Sequence, residues 1–157
     1  MSKFSLIAMG GTFDIIHHGH ITLLSTAFDI SEKVIIGLTS DEFVQKKGKN
    51  PIHKYDERLK NLTSIIFKKF PNSYFEISQL NNDFGPAVFE KEVQALVVSD
   101  ETKNQGNLLN KLRSERNLSP VEIIVVPMTL AKDGKRISTT RIKNSEIDSD
   151  GNLLPID

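Results

Sequence analysis

The chain of 157 residues contains no cysteine and no tryptophan, and its charges cancel. Without cysteine there is no disulfide, no thiol catalysis and no cysteine-ligated zinc, which is typical of an intracellular protein. Twenty Lys and Arg balance twenty Asp and Glu, and this balance argues against a general nucleic-acid binder. The longest early apolar run, Phe4 to Met9, is too short for a membrane span or a signal peptide.

From these absences we expect a soluble cytoplasmic protein with neither a nucleic acid nor a membrane as partner. The sequence carries no signal for the oligomeric state, and a monomer is our working expectation. The nucleotide motifs GxGxxG and GxxxxGK[ST] are also absent from the chain. Any phosphate would therefore be held in a different way.

The apolar periodicity alternates between strand-like and helix-like segments with no linker or repeat between them. It predicts strands at Phe4 to Met9, Lys33 to Leu38, Tyr74 to Ile77, Ala95 to Val98 and Val121 to Val126. It predicts helices that begin near His18 and that cover Tyr55 to Phe70 and Lys103 to Asn117. This alternation predicts one α/β domain over residues 1–157, a Rossmann-like, doubly wound fold with a five-stranded parallel sheet. Ligands of such sheets bind beyond the carboxyl ends of the strands.

The segment 10–20 joins the first strand to the first helix and reads Gly-Gly-Thr-Phe-Asp-Ile-Ile-His-His-Gly-His. It places His17 and His20 three residues apart at a helix start. A helix N-terminus offers unpaired N–H groups and a partial positive charge, both of which favour phosphate. Gly19 lacks the Cβ that would keep a phosphate away from the backbone. We therefore expect a nucleotide at this turn.

Two other interpretations of the histidines are open from spacing alone. His17 and His20 could bind a metal together with Asp14, but a further ligand would have to come from the distant His53. Alternatively, the histidines cap the helix or fill the core. The neighbouring residues favour another answer: HxGH after GGTFD resembles the signature of the nucleotidyltransferase superfamily. That superfamily includes cytidylyltransferases, phosphopantetheine adenylyltransferases and class I aminoacyl-tRNA synthetases, and we expect 157 residues to be too few for a synthetase.

A second segment, residues 137–143, reads Ile-Ser-Thr-Thr-Arg-Ile-Lys and is similar to the ISSTxIR motif of the same superfamily. By itself it is an ordinary helix start with Ser138 as N-cap. The resemblance implies that Ser138, Thr139 and Thr140 bind the β- and γ-phosphates and that Arg141 adds charge. Lys143 stands where the pattern usually has Arg, so the charge is kept but the bidentate fork is lost.

The basic stretch 45–58 lies between the second strand and the long helix. Alone, it is typical of a solvated loop. Beside the two motifs it resembles the family loop whose lysine contacts both phosphate substrates. Counting forward from Asp41 favours Lys47 and Lys49, and counting back from Arg58 favours Lys49. Gly48, Asn50 and Pro51 indicate a loop that could close over a ligand.

Four shorter segments resemble the archaeal-type phosphopantetheine adenylyltransferase family, in the same order along the chain. They are residues 83–87, 99–102, 110–113 and the ending 146–148 with Gly151. Each also has an ordinary explanation as a turn, a cap or a polar helix face. Together with the two motifs they extend the resemblance over nearly the whole chain.

This resemblance implies adenylyl transfer from ATP to 4'-phosphopantetheine, with Mg²⁺ held mainly by ATP and no metal site in the protein. The attacking phosphate has a second pKa of about 6, so it needs no general base. Catalysis is then expected to rest on in-line positioning and charge neutralisation. The catalytic set implied is His20, His17, Lys49 and Arg141. The residues implied to bind ATP are Gly11, Thr12, Phe13, His17, Gly19, His20, Ser99, Glu101, Ile137, Ser138, Thr139, Thr140 and Arg141. Those implied to bind the acceptor are Thr12, Lys47, Lys49, Gly85, Pro86, Asn110 and Arg113.

Asp14 is interpreted as a residue that orients the turn or a histidine. Two alternative functions remain open. The chain could join CTP or ATP to another phosphorylated acceptor, as glycerol-3-phosphate cytidylyltransferases and archaeal flavin-nucleotide synthases do, or it could be a catalytically silent nucleotide-binding module.

Overall fold

Five strands and their connecting helices make up the computed structural model, which describes residues 3–88, 90–100, 102–127, 132–135, 137, 142 and 145–154. The elements in chain order are β1 (Phe4–Gly11), α1 (His18–Ile30), β2 (Ser31–Thr39), α2 (Asp41–Lys46), α3 (Tyr55–Lys69), β3 (Phe75–Leu80), a 3₁₀ turn (Gly85–Val88), β4 (Ala95–Ser99), α4 (Gln105–Glu115) and β5 (Glu122–Val126). In this described part of the chain, no helix is long and apolar enough to cross a bilayer.

All strand pairs are parallel, and the strand order is β3-β2-β1-β4-β5. The predicted five-stranded parallel sheet is therefore confirmed. The chain reverses its direction of travel across the sheet between β1 and β4, so the ends of these two strands flank the crevice where such folds bind ligands.

The two faces of the sheet carry separate cores because successive strand residues point to opposite sides. One core joins β1, β2 and β4 to α1 and α3, with Leu24, Leu62 and Ile66 fully buried. The other core lies under the 3₁₀ turn and α4, with Leu109 fully buried. Burial of each such side chain contributes about 1.5–3 kcal/mol.

Helix α2 was not predicted from the sequence. The Ser40 side chain accepts a hydrogen bond from the Phe43 N–H at 3.1 Å and caps the helix, with Asp41 and Glu42 in the first turn. The helix ends before Gly48, whose φ of 75° is accessible to glycine at little cost. The basic loop is therefore shorter than expected and begins at a helix end.

The described residues near the C-terminus pack beside the start of α1. Ile147 and Leu153 form an antiparallel bridge, and the Asp148 carboxylate accepts hydrogen bonds from the side chain of Asn152 and from main-chain N–H groups within the turn. These bonds lower the pKa of Asp148, the side-chain bond from Asn152 most strongly. The Ser149 carbonyl then accepts a hydrogen bond from the His18 N–H at 2.9 Å, which joins this segment to the first turn of α1.

Candidate active site

A cleft of about 610 Å³ lies beyond the carboxyl ends of the strands, and the turn between β1 and α1 forms part of its wall. Ser99, Thr102 and Gln105 line the side that follows β4. Lys47, Asp83 and Pro86 line the opposite side. The cleft thus spans the switch point of the sheet, the place between β1 and β4 where the strand order reverses. A ligand site beyond the strand ends was predicted from the alternation of strands and helices.

The two histidines of the HxGH segment contact each other and cap the start of α1. The His17 Nδ1 accepts a hydrogen bond from the Gly19 N–H at 3.1 Å, and the His17 N–H donates to the His20 Nδ1 at 3.2 Å. Their rings stack with centroids 3.9 Å apart. Because each Nδ1 is an acceptor, the neutral rings carry their hydrogens on Nε2. The cleft is therefore lined by two imidazoles with the same tautomer.

His20 is uncharged at neutral pH. Burial, and secondarily the neighbouring His17, lowers its pKa from 6.5 to about 3. The ring also packs against Phe13, with ring centroids 4.9 Å apart. We expected His20 to neutralise substrate charge. The low pKa gives His20 the form of a neutral N–H donor, and a neutral donor can stabilise charge through its fixed direction without a net charge.

Two amides at the start of α1 already have protein partners, so His18 and Gly19 do not offer the unpaired N–H groups that were predicted there. The His18 N–H donates to Ser149 and the Gly19 N–H donates to His17. A Cβ on Gly19 would lie 2.8 Å from the Cε1 atom of His17. Gly19 is thus required because the imidazole of His17 folds back over the helix start.

Phe13 has an unusual backbone conformation for an aromatic residue. Its φ is 50°, in the left-handed region, and only 2% of the residue is exposed. Such a conformation costs on the order of 1–3 kcal/mol and persists where the surroundings impose it. A Cβ on Gly11 would come within 3.0 Å of the Phe13 ring. Gly11 therefore makes room for the ring that supports His20.

The sequence matches the cytidylyltransferase-like family over residues 8–145. The chain belongs to the cytidylyltransferase-like family. It is 35% identical over 94% of its length, and 94% of the relative's, to a phosphopantetheine adenylyltransferase from Methanopyrus kandleri. It is 41% identical to one from Pyrococcus abyssi, with 98% of both chains covered. A crystal structure of a protein of unknown function from Archaeoglobus fulgidus has a TM-score of 0.70 and 27% identity, covering 78% of this chain and 89% of that one.

In this cytidylyltransferase-like chain the two candidate lysines differ in their partners. The Lys47 ammonium lies 2.6 Å from the Asp83 carboxylate and above the Phe43 ring. Lys49 also lines the cleft, and within the described part of the chain it forms no ion pair. This difference favours Lys49 as the lysine for substrate phosphate, because Lys47 would first have to leave Asp83.

Asp14 orients a histidine, but that histidine is His53. The Asp14 carboxylate accepts hydrogen bonds from the Ile52 and His53 N–H groups, both at 2.9 Å, and lies 3.1 Å from the His53 Nδ1. Among the described residues, no group of three or more His, Asp or Glu could hold a metal ion. The alternative of a metal bound by Asp14, His17, His20 and His53 thus has no support in the geometry.

Arg58 lies behind the cleft wall, in contact with the lining residues Thr12 and Thr39, and its importance was not predicted from the sequence. It is fully buried and donates to the carbonyls of Thr12 and Thr39 at 3.0 and 2.8 Å. The burial of Arg58 could have been predicted from the sequence, because Arg58, Leu62 and Ile66 occupy positions i, i+4 and i+8 on one face of α3. A charged residue on that stripe requires buried partners.

Asn110 and Arg113 do not line the cleft, and their predicted contact with the acceptor is corrected. The side-chain amide of Asn110 pairs with the N–H and carbonyl of Val121 at 2.7 and 3.1 Å. Arg113 is 1% exposed and donates to main-chain carbonyls, including that of Ala87 at 2.7 Å. The polar helix face that suggested a ligand instead bonds to the backbone around α4.

Gly85 and Pro86 have different positions relative to the cleft. Pro86 lines it, whereas Gly85 does not. The φ of Gly85 is 51°, and a Cβ there would collide with the Leu80 side chain. Gly85 therefore shapes the turn and accommodates Leu80, and its predicted contact with the acceptor is corrected in the same way.

The remaining predicted positions divide by whether the structure describes them. Gly11, Thr12, Phe13, Gly19, Ser99 and Ile137 line the cleft together with His17, His20, Lys47 and Lys49. Glu101 and residues 138–141 lie outside the described residues. Ile137, which directly precedes Ser138, is buried in the cleft wall.

Proposed function

We propose that this chain transfers the AMP moiety of ATP to 4'-phosphopantetheine, forming dephospho-coenzyme A and pyrophosphate. The observation that carries the proposal is the stacked histidine pair at the switch point, in a cleft with one lysine that forms no described ion pair. The choice of acceptor is supported by the relatives named phosphopantetheine adenylyltransferase, which align with nearly the whole chain.

In this proposal an oxygen of the acceptor phosphate attacks the α-phosphorus of ATP. The bond from that phosphorus to the oxygen bridging to the β-phosphate breaks, and pyrophosphate leaves. No base is needed because the acceptor phosphate has a second pKa of about 6. His17 and His20 would offer Nε2–H donors to the transition state, and Lys49 would offset negative charge as the two phosphates approach.

Mg²⁺ belongs to this proposal as a partner of ATP. The Asp14 carboxylate is held by donors from Ile52 and His53, and Asp83 is paired with Lys47. These contacts fit a metal ion that arrives on the triphosphate, where it would offset phosphate charge. Ser138, Thr139, Thr140 and Arg141 remain our proposed contacts to the β- and γ-phosphates. A cytoplasmic, monomeric enzyme is part of the same proposal and fits the cysteine-free composition.

The test is a substrate matrix. ATP and CTP are each combined with 4'-phosphopantetheine, glycerol 3-phosphate or a flavin mononucleotide, and both pyrophosphate release and product mass are measured. We expect efficient release only with ATP and 4'-phosphopantetheine, and a product with the mass of dephospho-coenzyme A. Turnover only with CTP or another acceptor would replace the substrate assignment, and no turnover with any pair would favour a silent binding module.

A further inference from the structure

We propose that Asp14 is a positioning residue that holds the 47–53 loop so that Lys49 faces the substrate phosphates. This inference rests on the proposed function, since the lysine needs a phosphate to act on. Asp14 belongs to the turn after β1. The two loop residues that it binds, Ile52 and His53, follow it in the chain by 38 and 39 residues. The contact is therefore a long-range link between the β1–α1 turn and the loop.

The first observation is the environment of the carboxylate. Asp14 is 6% exposed, so its charge has lost most of its contact with water. Hydrogen bonds from the Ile52 N–H, the His53 N–H and the His53 Nδ1 compensate for this loss. His53 is also fixed through its carbonyl, which accepts from the Nε of Arg58 at 3.1 Å. The far end of the loop is thus anchored through one histidine.

The near end of the loop is anchored by α2. The Lys49 N–H donates to the Val44 carbonyl at 3.1 Å, and Gly48 adopts the left-handed conformation that this helix end requires. Between the two anchors, Lys49, Asn50 and Pro51 line the cleft. Lys49 therefore has a fixed backbone, although its side chain is exposed.

A fixed backbone matters for a lysine because its side chain has four rotatable bonds and a single charged atom. The attraction between the ammonium and a phosphate falls with their separation, and the transition state is sensitive to small displacements. If the link to Asp14 is lost, the loop can move away from the β1–α1 turn and take the ammonium with it. The expected loss is then in turnover more than in ATP affinity.

The test is a double-mutant cycle between Asp14→Asn and Lys49→Ala, measured as kcat and KM for dephospho-coenzyme A formation. The asparagine keeps the size of the side chain but presents an N–H₂ group where donors already point. We expect Asp14→Asn to lower kcat roughly 10²-fold with Lys49 present. With Lys49→Ala in place, the same substitution should lower kcat by less than about threefold, because the group that Asp14 positions is gone.

A second variant covers the case in which Asp14→Asn does not fold. His53→Ala removes only the contacts of the imidazole with the Asp14 carboxylate and carbonyl, and it keeps the main-chain N–H. We expect it to lower kcat roughly 3- to 10-fold, and to have no effect in the Lys49→Ala background. Gln94→Ala is the matched control, since the Gln94 side chain accepts the Ser5 N–H at 2.7 Å at the opposite edge of the sheet. Its effect on kcat should be small and should be the same with and without Lys49.

The outcomes separate the two proposals. A wild-type protein that forms no dephospho-coenzyme A defeats the proposed function before any variant is made. An active wild-type enzyme in which the Asp14 and Lys49 losses simply multiply would overturn the positioning role and leave the function standing. Wild-type kcat in His53→Ala would also overturn it.

Discussion

Among the described residues, two arginines are almost completely shielded from water, yet they belong to different regions. Arg58 lies beneath the cleft, where it donates to Thr12 and Thr39 and pairs with Asp41 at 2.9 Å. Arg113 lies on the buried face of α4, where it donates to the carbonyls of Ser119, Ala87, Glu90 and Val93. Both are buried cations with main-chain acceptors. Arg58 contacts the ends of β1 and β2, whereas Arg113 reaches the cleft wall only through the carbonyl of Ala87.

The comparison shows that a buried arginine takes its role from the elements that it joins. Arg58 connects the carboxyl ends of β1 and β2 to the start of α2 and to the basic loop. Arg113 connects α4 to the segments before β4 and β5, and burial lowers its pKa because the charged form is poorly solvated. We therefore expect changes at Arg58 to alter catalysis and stability together, and changes at Arg113 to alter stability alone.

The largest expected effect is on folding, from Arg113→Met. The substitution keeps most of the apolar stem but takes the guanidinium donor away from four main-chain carbonyls, of which Glu90 keeps the Val93 N–H. We expect the free energy of unfolding to fall by about 3–5 kcal/mol, measured by urea unfolding. At a temperature where the variant is folded, its kcat/KM should stay within about threefold of wild type. A large loss of kcat/KM in folded protein would restore the acceptor role predicted for Arg113.

His20→Ala should have the opposite effect to Arg113→Met: a large loss of turnover with folding nearly intact. The substitution removes one N–H donor from the cleft. Turnover should fall by roughly 10²–10³, about 3–4 kcal/mol, as it does when one transition-state donor is removed elsewhere. ATP binding, measured by calorimetry, should weaken less. Wild-type turnover in this variant would mean that His20 only caps the helix.

Arg58→Lys tests a residue that we expect to affect both turnover and stability. A lysine keeps the charge but cannot reach Thr12, Thr39, Asp41 and His53 at once with a planar fork. We expect kcat to fall by roughly 10-fold and the free energy of unfolding by about 2 kcal/mol. The corresponding Arg113→Lys variant is the control, and its kcat should be unaffected. If both lysine variants lose only stability, the contrast between the two regions is wrong.

The last expected effect is in the pH dependence of stability. His20 has a folded-state pKa of about 3, whereas an unfolded histidine has about 6.5. Between these values the unfolded chain takes up a proton that the folded chain does not, so the stability contributed by neutral His20 is present above pH 6.5 and is lost as the pH falls toward 3.

The denaturant midpoint should therefore decrease more between pH 7 and pH 4.5 in the wild type than in His20→Asn. The acid limb of kcat/KM should have a midpoint near 6, from the acceptor phosphate, and His20→Asn should retain it. Parallel stability curves for the two proteins would contradict the low pKa of His20.

Much of the fold was predictable because it rests on local signals. The alternation of apolar residues indicated all five strands. Predicted and observed strands differ by a few residues at their ends; β3, for example, was predicted to end at Ile77 and ends at Leu80. Helix α2 was missed because its six residues form hardly more than one turn and depend on the Ser40 cap. Such a short helix has little periodicity to detect.

The sequence by itself determined the order of strands and helices and the position of the HxGH turn at a strand end, because these depend on patterns within about ten residues. Only the tertiary structure decided which polar groups meet. It paired Lys47 with Asp83, Asp14 with His53, and the first amides of α1 with His17 and Ser149. It also directed Asn110 and Arg113 to the backbone around α4. Buried polar groups must find partners wherever the chain brings them, and those partners lie up to 131 residues away in the sequence, as between His18 and Ser149.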